Sequence, residues 1–289
     1  AYYRNKSLNS RVVGFDPEPE EHLRRVEAAI GTIETSKLDK VVLARAVDIE
    51  FPEAIDPRLV AARLIDLSAN RDGFIADLSP AGRPGAMLVG SSPEVLVKRQ
   101  GSTVSAFPLA GSSPRRTSAA EDHIAGQDLL HSAKDLHEHS FVVEHLRRVL
   151  SPLCERLDIP DTPQLISTNE MWHLGTPISG TLKDKDLTAL ELALAAHPTP
   201  AICGTPAEAA QALIETAETD RGFYAGAVGW CDSSGDGEYM VAIRCAEVAG
   251  DGLSARAWAG GGIVGDSDAH AELEETTAKL RTILKALSL

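Results

Sequence analysis

The stretch GFYAGAVGWCDSSGDGEYMVAIRCAEVAGDGLSARAW, residues 222–258, decides the fold. Its β-forming runs, broken by Gly, Asp and Ser, read as three successive strands over 222–231, 237–247 and 253–258. Upstream, KVVLARAVDIEF at 40–51 has the same Val- and Ile-rich character, and 86–90, 94–98 and 103–107 follow as further strands with Gly, Pro or Arg-Gln-Gly between them. Residues 165–180 fit helix or strand equally. Helices are grouped between the strand runs. Asp16-Pro17 supplies an N-cap and first turn for a helix with Leu23, Val26, Ile30 and Ile33 on one face. Asp56-Pro57 repeats that signal ahead of Leu59, Ala62 and Leu64. Residues 118–157 read as one long helical region, 189–196 and 206–218 as shorter helices, and 112–116 and 233–237 as exposed loops. An amphipathic helix over 268–287, carrying Leu273, Thr276, Leu280 and Ile283, ends the chain. Strand runs with helices gathered between them predict an α+β protein with large antiparallel sheets.

With 289 residues, 43% of them apolar, the chain can bury a sizeable core. No run of 18 apolar residues is present, so no membrane span is expected. The opening AYYRNKSLNSR is polar and has no signal-peptide pattern, and the absence of a leading Met suggests an incomplete N-terminal segment. The net charge of −14 argues against a broad nucleic-acid surface. It leaves room for an anionic small molecule, because a buried cation can invert the local field. Cys154, Cys203, Cys231 and Cys245 form no C-x-x-C pair and read as reduced thiols of a cytoplasmic protein.

Four places could carry chemistry. Glu272, Glu275 and Lys279 share a face of the last helix. They form either a solvated face or a site for a hard cation such as Mg2+, which takes one or two carboxylates plus substrate oxygens and water. The three glycines 260–262 ahead of that helix let backbone approach an anion closely. In KDLHEHSF, Glu138 lies between two histidines, but Phe141 rules out H-E-x-x-H zinc chemistry, so Glu138 is a surface residue or a third carboxylate. Glu94, after Ser92-Pro93, either caps a strand edge or sits desolvated in a cleft as a protonated general acid. Lys40, opening a Val-rich strand, is either a solvated end or a buried amine able to act as a base.

Together, in order, these features match a family. The blocks are Lys40-Val-Val-Leu-Ala-Arg, Ser92-Pro93-Glu94, Pro108-Leu109-Ala110-Gly111-Ser112, Lys134 through His139, His173-Leu174-Gly175-Thr176-Pro177, His197-Pro198-Thr199-Pro200-Ala201, Gly229-Trp230-Cys231-Asp232, Ile243-Arg244, and Ala259 through Glu275. From Lys40 to the C-terminus the chain resembles the chorismate-utilising enzymes: isochorismate and salicylate synthases, and the large subunits of anthranilate and aminodeoxychorismate synthases. The resemblance implies one catalytic domain over 1–289, of two large antiparallel sheets stacked face to face with helices outside, and a Mg2+ cofactor. By motif, Glu138 and Glu275 correspond to the main Mg2+ ligands, with Glu272 acting directly or through water. Arg244, next to Ile243, corresponds to the ligand of the enolpyruvyl carboxylate, assisted by Tyr224 and the backbone at Gly260 and Gly261. Lys279 lies by the ring carboxylate and metal, and His173 near the ring. Gly111 and Ser112 flank the departing hydroxyl. The implied reaction has Lys40 as base toward water attacking C2 and Glu94 as acid toward the leaving C4 hydroxyl.

Within the family, Ala201 is similar to the small apolar residue of isochorismate synthases, which usually carry Leu next where this chain has Ile202; ammonia-using and salicylate-forming members carry Thr at the Ala201 position. The blocks around His173, His197 and Gly229 look closest to the catechol-siderophore members, with the menaquinone branch as the neighbour. Salicylate synthase, an anthranilate- or aminodeoxychorismate-synthase type, and a non-catalytic chorismate binder are the alternatives. A monomer with chorismate as its small-molecule partner, and no nucleic acid or membrane, is the expectation.

Overall fold

The computed structural model describes residues 5–289; the first four residues of the polar N-terminal run lie outside them. The described residues form three antiparallel sheets. The first runs in the order β1 (Arg11–Asp16), β2 (Lys40–Glu50), β16 (Ser254–Ile263), β15 (Cys245–Val248), β4 (Met87–Ser91) and β3 (Gly73–Asp77), with β12 (Gly204–Thr205) also paired to β2. The second runs β13 (Ala227–Cys231), β14 (Gly237–Val241), β5 (Val95–Gln100), β6 (Thr103–Phe107), β11 (Ile178–Leu182) and β8 (Cys154–Asp158). The third, small and not expected from the sequence, is β7 (Leu109–Pro114), β10 (Met171–Gly175) and β9 (Gln164–Ser167).

Among the described residues seven α-helices accompany them: α1 (Pro19–Thr35), α2 (Pro57–Leu67), α3 (Ala119–Leu130), α4 (Ala133–Leu150), α5 (Ala189–Ala196), α6 (Ala207–Ala217) and α7 (Ala269–Ala286). No helix among the described residues is long and apolar enough to cross a membrane. Burial removes apolar area from water and supplies most of the driving force for this arrangement. One buried cluster joins Val41, Leu43 and Leu88 of the first sheet to Leu96, Val104 and Ile178 of the second and to Leu146 and Leu192 of α4 and α5. A second cluster packs Val47, Ile49 and Val89 against Val60 and Leu64 of α2 and Leu280 and Ile283 of α7. β2, buried on both faces along most of its length, is therefore a near-continuous apolar run.

Several local expectations change. The Asp16 carboxylate is not a helix cap: Asp16 ends β1 and pairs with Arg256 at 3.1 Å, while α1 begins at Pro19 after Glu18. Asp56 does cap α2, accepting from the Arg58 backbone N–H. The region 118–157 is two helices, broken where Ser132 caps α4 by accepting from the Asp135 N–H, and its end is the strand β8. Residues 112–114 belong to β7 and are half-buried, not an exposed loop. Residues 222–226 form turns ahead of β13. The run 237–247 is two strands in different sheets, because the chain leaves the second sheet after Val241 and enters the first at Cys245. The four cysteines are free thiols, as read, and all but the half-buried Cys231 are buried.

Candidate active site

The cleft lies where strands change sheets. β4 passes to β5 through Ser92-Pro93-Glu94, and β14 passes to β15 through Ala242-Ile243-Arg244. These two crossings are tied together, since the Val241 N–H donates to Glu94 O at 3.1 Å and the Ser91 N–H to Arg244 O at 3.0 Å. β6 passes to the third sheet at Pro108, and β10 returns to the second at Thr176-Pro177. His139 of α4 latches these last crossings, with Nδ1 donating to Ala110 O at 2.9 Å and Nε2 accepting from Thr176 Oγ1 at 2.6 Å. Crossing points leave side chains free of either sheet's core, and here they converge.

One cleft is lined by Glu94, Gly111, Ser112, Glu138, His173, Ala201, Ile202, Tyr224, Ile243, Arg244, Gly260 and Lys279, twelve of the residues singled out in the sequence. Lys40, Gly261, Glu272 and Glu275 are not on its surface. Lys40 is fully buried at the start of β2, 3.3 Å from the Glu138 Oε1 that borders the cleft. Its Nζ makes no hydrogen bond among the described residues.

Glu94 is 3% exposed, and one carboxyl oxygen accepts from the Leu109 N–H at 3.0 Å. Burial raises its carboxyl to about 7, against the pull of that hydrogen bond and of the Lys40, Arg244 and Lys279 charges. A carboxyl that keeps its proton near neutrality can act as an acid. Arg244 is buried and has no carboxylate partner among the described residues; both terminal nitrogens lie 3.4 Å from His173 Nε2. Guanidinium donates and never accepts, which assigns Nε2 as acceptor and Nδ1–H as donor to Ser112 Oγ at 2.7 Å. Burial, with Arg244 and Lys279 nearby, holds the His173 imidazole well below its ordinary value and so neutral. An unpaired buried guanidinium is a strong place for an anion, above all a carboxylate that can take two parallel hydrogen bonds. On the far wall Tyr224 stacks on Trp258 with centroids 5.6 Å apart and planes 7° from parallel. Burial raises the Tyr224 phenol and keeps it protonated as a donor.

Behind the cleft floor three carboxylates come together. Glu272 and Glu275 project from α7 and Glu138 from α4, all nearly buried. β16 crosses them at its glycines. A Cβ on Gly261 would lie 2.9 Å from Glu272 Oε2 and 3.1 Å from Glu275 Oε2, and one on Gly262 would overlap Glu138 Oε1. Three buried carboxylates are costly unless compensated, and here each has its own lysine. Lys40 stands against Glu138, Lys134 against Glu272 at 3.0 Å, and Lys279 against Glu275 at 2.8 Å. Burial favours a neutral Glu138, yet the Lys40, Lys134 and Lys279 charges together hold its carboxyl below the usual range. Burial and the Glu275 charge raise Glu272 to about 8, and its Oε2 is buried without a partner. So paired, among the described residues no three acidic or imidazole groups gather closely enough to ligate an ion. The donor set nonetheless suits a hard cation: oxygen atoms from three separate carboxylates, one of them unsatisfied, with glycine backbone in place of side chains.

Lys134 had been given no role from the sequence, although it lies one turn before Glu138 on α4, the spacing that puts two side chains on one face. Trp258 borders the cleft and lies in none of the motif blocks, while Val42, Leu109 and Ala110 border it from blocks that assign them no role.

Known proteins share this architecture. A family model described as chorismate binding enzyme matches residues 4–288. The chain is 45% identical over 274 residues to isochorismate synthase DhbC of Bacillus subtilis (strain 168), covering 94% of this chain and 68% of that protein. It is 39% identical over 289 residues to isochorismate synthase EntC of Escherichia coli (strain K12), covering 100% of this chain and 72% of the other. The crystal structure of DhbC from Bacillus anthracis superposes with a TM-score of 0.93 at 41% identity, over 98% of this chain and 76% of that one. A match over nearly every described residue, in sequence and in fold, places this chain in the chorismate-binding enzyme family.

Proposed function

We propose that the protein is a Mg2+-dependent isochorismate synthase, acting on chorismate as a cytoplasmic monomer at the head of a catechol-siderophore or menaquinone route. The observation that carries this reading is a buried carboxyl raised to about 7, Glu94, in the same cleft as a buried Arg244 with no acid partner among the described residues. The first is suited to protonating a leaving group and the second to holding a substrate carboxylate.

Arg244 and the Tyr224 hydroxyl hold the enolpyruvyl carboxylate, and Lys279 stands beside the ring carboxylate. Glu138, Glu275 and Glu272 would hold Mg2+, which supplies positive charge to offset the ring carboxylate. Lys40 takes a proton from a water molecule as that oxygen bonds to ring C2. Glu94 gives its proton to the C4 hydroxyl, which departs as water while the ring double bonds shift. One water enters and one leaves, so the product is an isomer. Ala201 and Ile202 present no side-chain donor to a nucleophile, in keeping with attack by water.

Incubation of the protein with chorismate and Mg2+ is expected to yield isochorismate by HPLC, without salicylate or pyruvate. Salicylate as the main product, or a product that forms only with ammonia, would refute the assignment.

The pH dependence follows from Glu94. With an ordinary value of 4.5 a carboxyl would be about 0.3% protonated at pH 7; raised to about 7, Glu94 is about half protonated there. The reaction needs the protonated form, so kcat/KM is expected to fall as pH rises through and above about 7. The limbs of the whole profile belong to the interacting acid–base pair and not to one residue each. A rate that stays flat from neutral into the alkaline range would remove Glu94 as the acid.

A further inference from the structure

The three lysines facing the carboxylates are not equivalent. Lys40 is enclosed completely. Lys279 is tied twice, to Glu275 at 2.8 Å and to Gly260 O at 2.9 Å. Lys134 is the most open, 24% exposed, and touches two carboxylates: Glu272 Oε1 at 3.0 Å and Asp135 Oδ1 at 3.5 Å. The second contact is too long for a hydrogen bond, and Asp135 Oδ1 is buried with no hydrogen-bond partner, although Oδ2 accepts from Ser132 Oγ at 2.6 Å. Glu272 Oε2 is likewise buried and unpartnered. The Nζ of Lys134 thus stands between an acid it holds and an acid left waiting.

We infer that Lys134 is a positioning residue, a displaceable counter-cation that holds Glu272 until a divalent ion takes that carboxylate and then passes to Asp135. This rests on the Mg2+ reading above. A doubly charged ion among the three carboxylates meets the ammonium groups of Lys134 and Lys279 and stands close to Lys40, and like charges in a buried site repel strongly. Lys40 has nowhere to go, and moving Lys279 breaks its bond to Gly260. Lys134 need move only its end to trade Glu272 for Asp135. The exchange satisfies both orphaned oxygens, since Glu272 Oε2 meets the ion and Asp135 Oδ1 meets Nζ. Without the ion, the same ammonium keeps Glu272 from facing Glu275 and Glu138 uncompensated.

Lys134 and Asp135 therefore act on ion affinity with opposite signs. Mg2+ binding is measured by calorimetry on the full chain, at one fixed pH for every variant. Lys134→Met removes the competitor and is expected to bind Mg2+ tighter by on the order of tenfold. Asp135→Asn removes the landing place and is expected to bind more weakly. In the Lys134→Met background, Asp135→Asn has no further effect, because its action runs through Lys134. A merely structural lysine would weaken binding when lost. Equal or weaker binding by Lys134→Met overturns the inference. So does an Asp135→Asn effect that persists without Lys134, a comparison of signs that survives partial destabilisation of either variant. Failure of the unaltered protein to bind Mg2+ at all overturns the metal reading itself, and is told apart by that result.

Discussion

Lys40→Met is expected to lower kcat by on the order of 10²-fold or more, with the protein still folded and still binding chorismate. The side chain is wholly buried at the first position of β2, so a methionine of similar length fills the same space. Its Nζ is held only by the 3.3 Å ion pair with Glu138 among the described residues, and Glu138 then stays in the field of Lys134 and Lys279. Removing one partner of a buried ion pair costs stability, partly offset by those two lysines, so the thermal midpoint should fall while the fold persists, and the reaction loses the amine assigned to accept the proton of the attacking water. Substrate binding through Arg244 is untouched, so the loss belongs in kcat and not in KM. Steady-state kinetics with HPLC of the product, beside the thermal midpoint, checks both halves. Turnover within a few-fold of the unaltered protein would remove Lys40 from the chemistry and leave the water to be activated elsewhere.

What could be read from the sequence, and what could not, divides along the range of the interactions involved. The α5 helix over 189–196 and the apolar run of β2 are set by local pattern and burial, and both were legible. The switch of sheets at Ala242–Arg244 was not. Ala-Ile-Arg carries no glycine or proline to mark a break, and the Arg244 φ of 50° is imposed from outside, by the Ser91 N–H on its carbonyl and by the Ala225 N–H on that of Ala242. Yet this turn is what aims the guanidinium into the cleft. The break between α3 and α4 left a local trace, Ser132 followed three residues later by Asp135, but the helical periodicity on both sides masked it. β8 is a strand through its pairing with β11, a long-range fact absent from Cys-Glu-Arg-Leu-Asp itself. At the site, the motif blocks singled out Glu94, Glu138, Arg244 and the α7 acids, and the structure brings them to one region. The Glu275–Lys279 pair, four residues apart on one helix face, was legible, but the pairing of Lys40 with Glu138 and of Lys134 with Glu272 needed coordinates, because those partners come from distant stretches.

Gly262→Ala is expected to cost on the order of 10²-fold in kcat, since a displacement near 1 Å in catalytic geometry has that effect. Gly262 lies inside β16, paired with Val42, and its backbone is not in the left-handed region, so the strand accepts alanine. The added methyl, however, would overlap Glu138 Oε1 and lie 2.8 Å from Lys40 Cε. A carboxylate end can swing aside at small cost while the strand cannot, so the fold survives and the Glu138–Lys40 pair is pushed apart. One methyl group thereby disturbs the base and an ion-binding carboxylate together, and Mg2+ affinity should weaken in parallel with kcat. Gly31→Ala is the control: nothing lies within 4 Å of the added carbon, and activity should be unchanged. Calorimetric Mg2+ titration and kcat on the two variants decide the matter. A Gly262→Ala protein with full turnover would mean that the space between Glu138 and Lys40 is not where the reaction is controlled. A Gly262→Ala protein that loses kcat but keeps its Mg2+ affinity would confine the damage to Lys40 and take Glu138 out of the ion's shell.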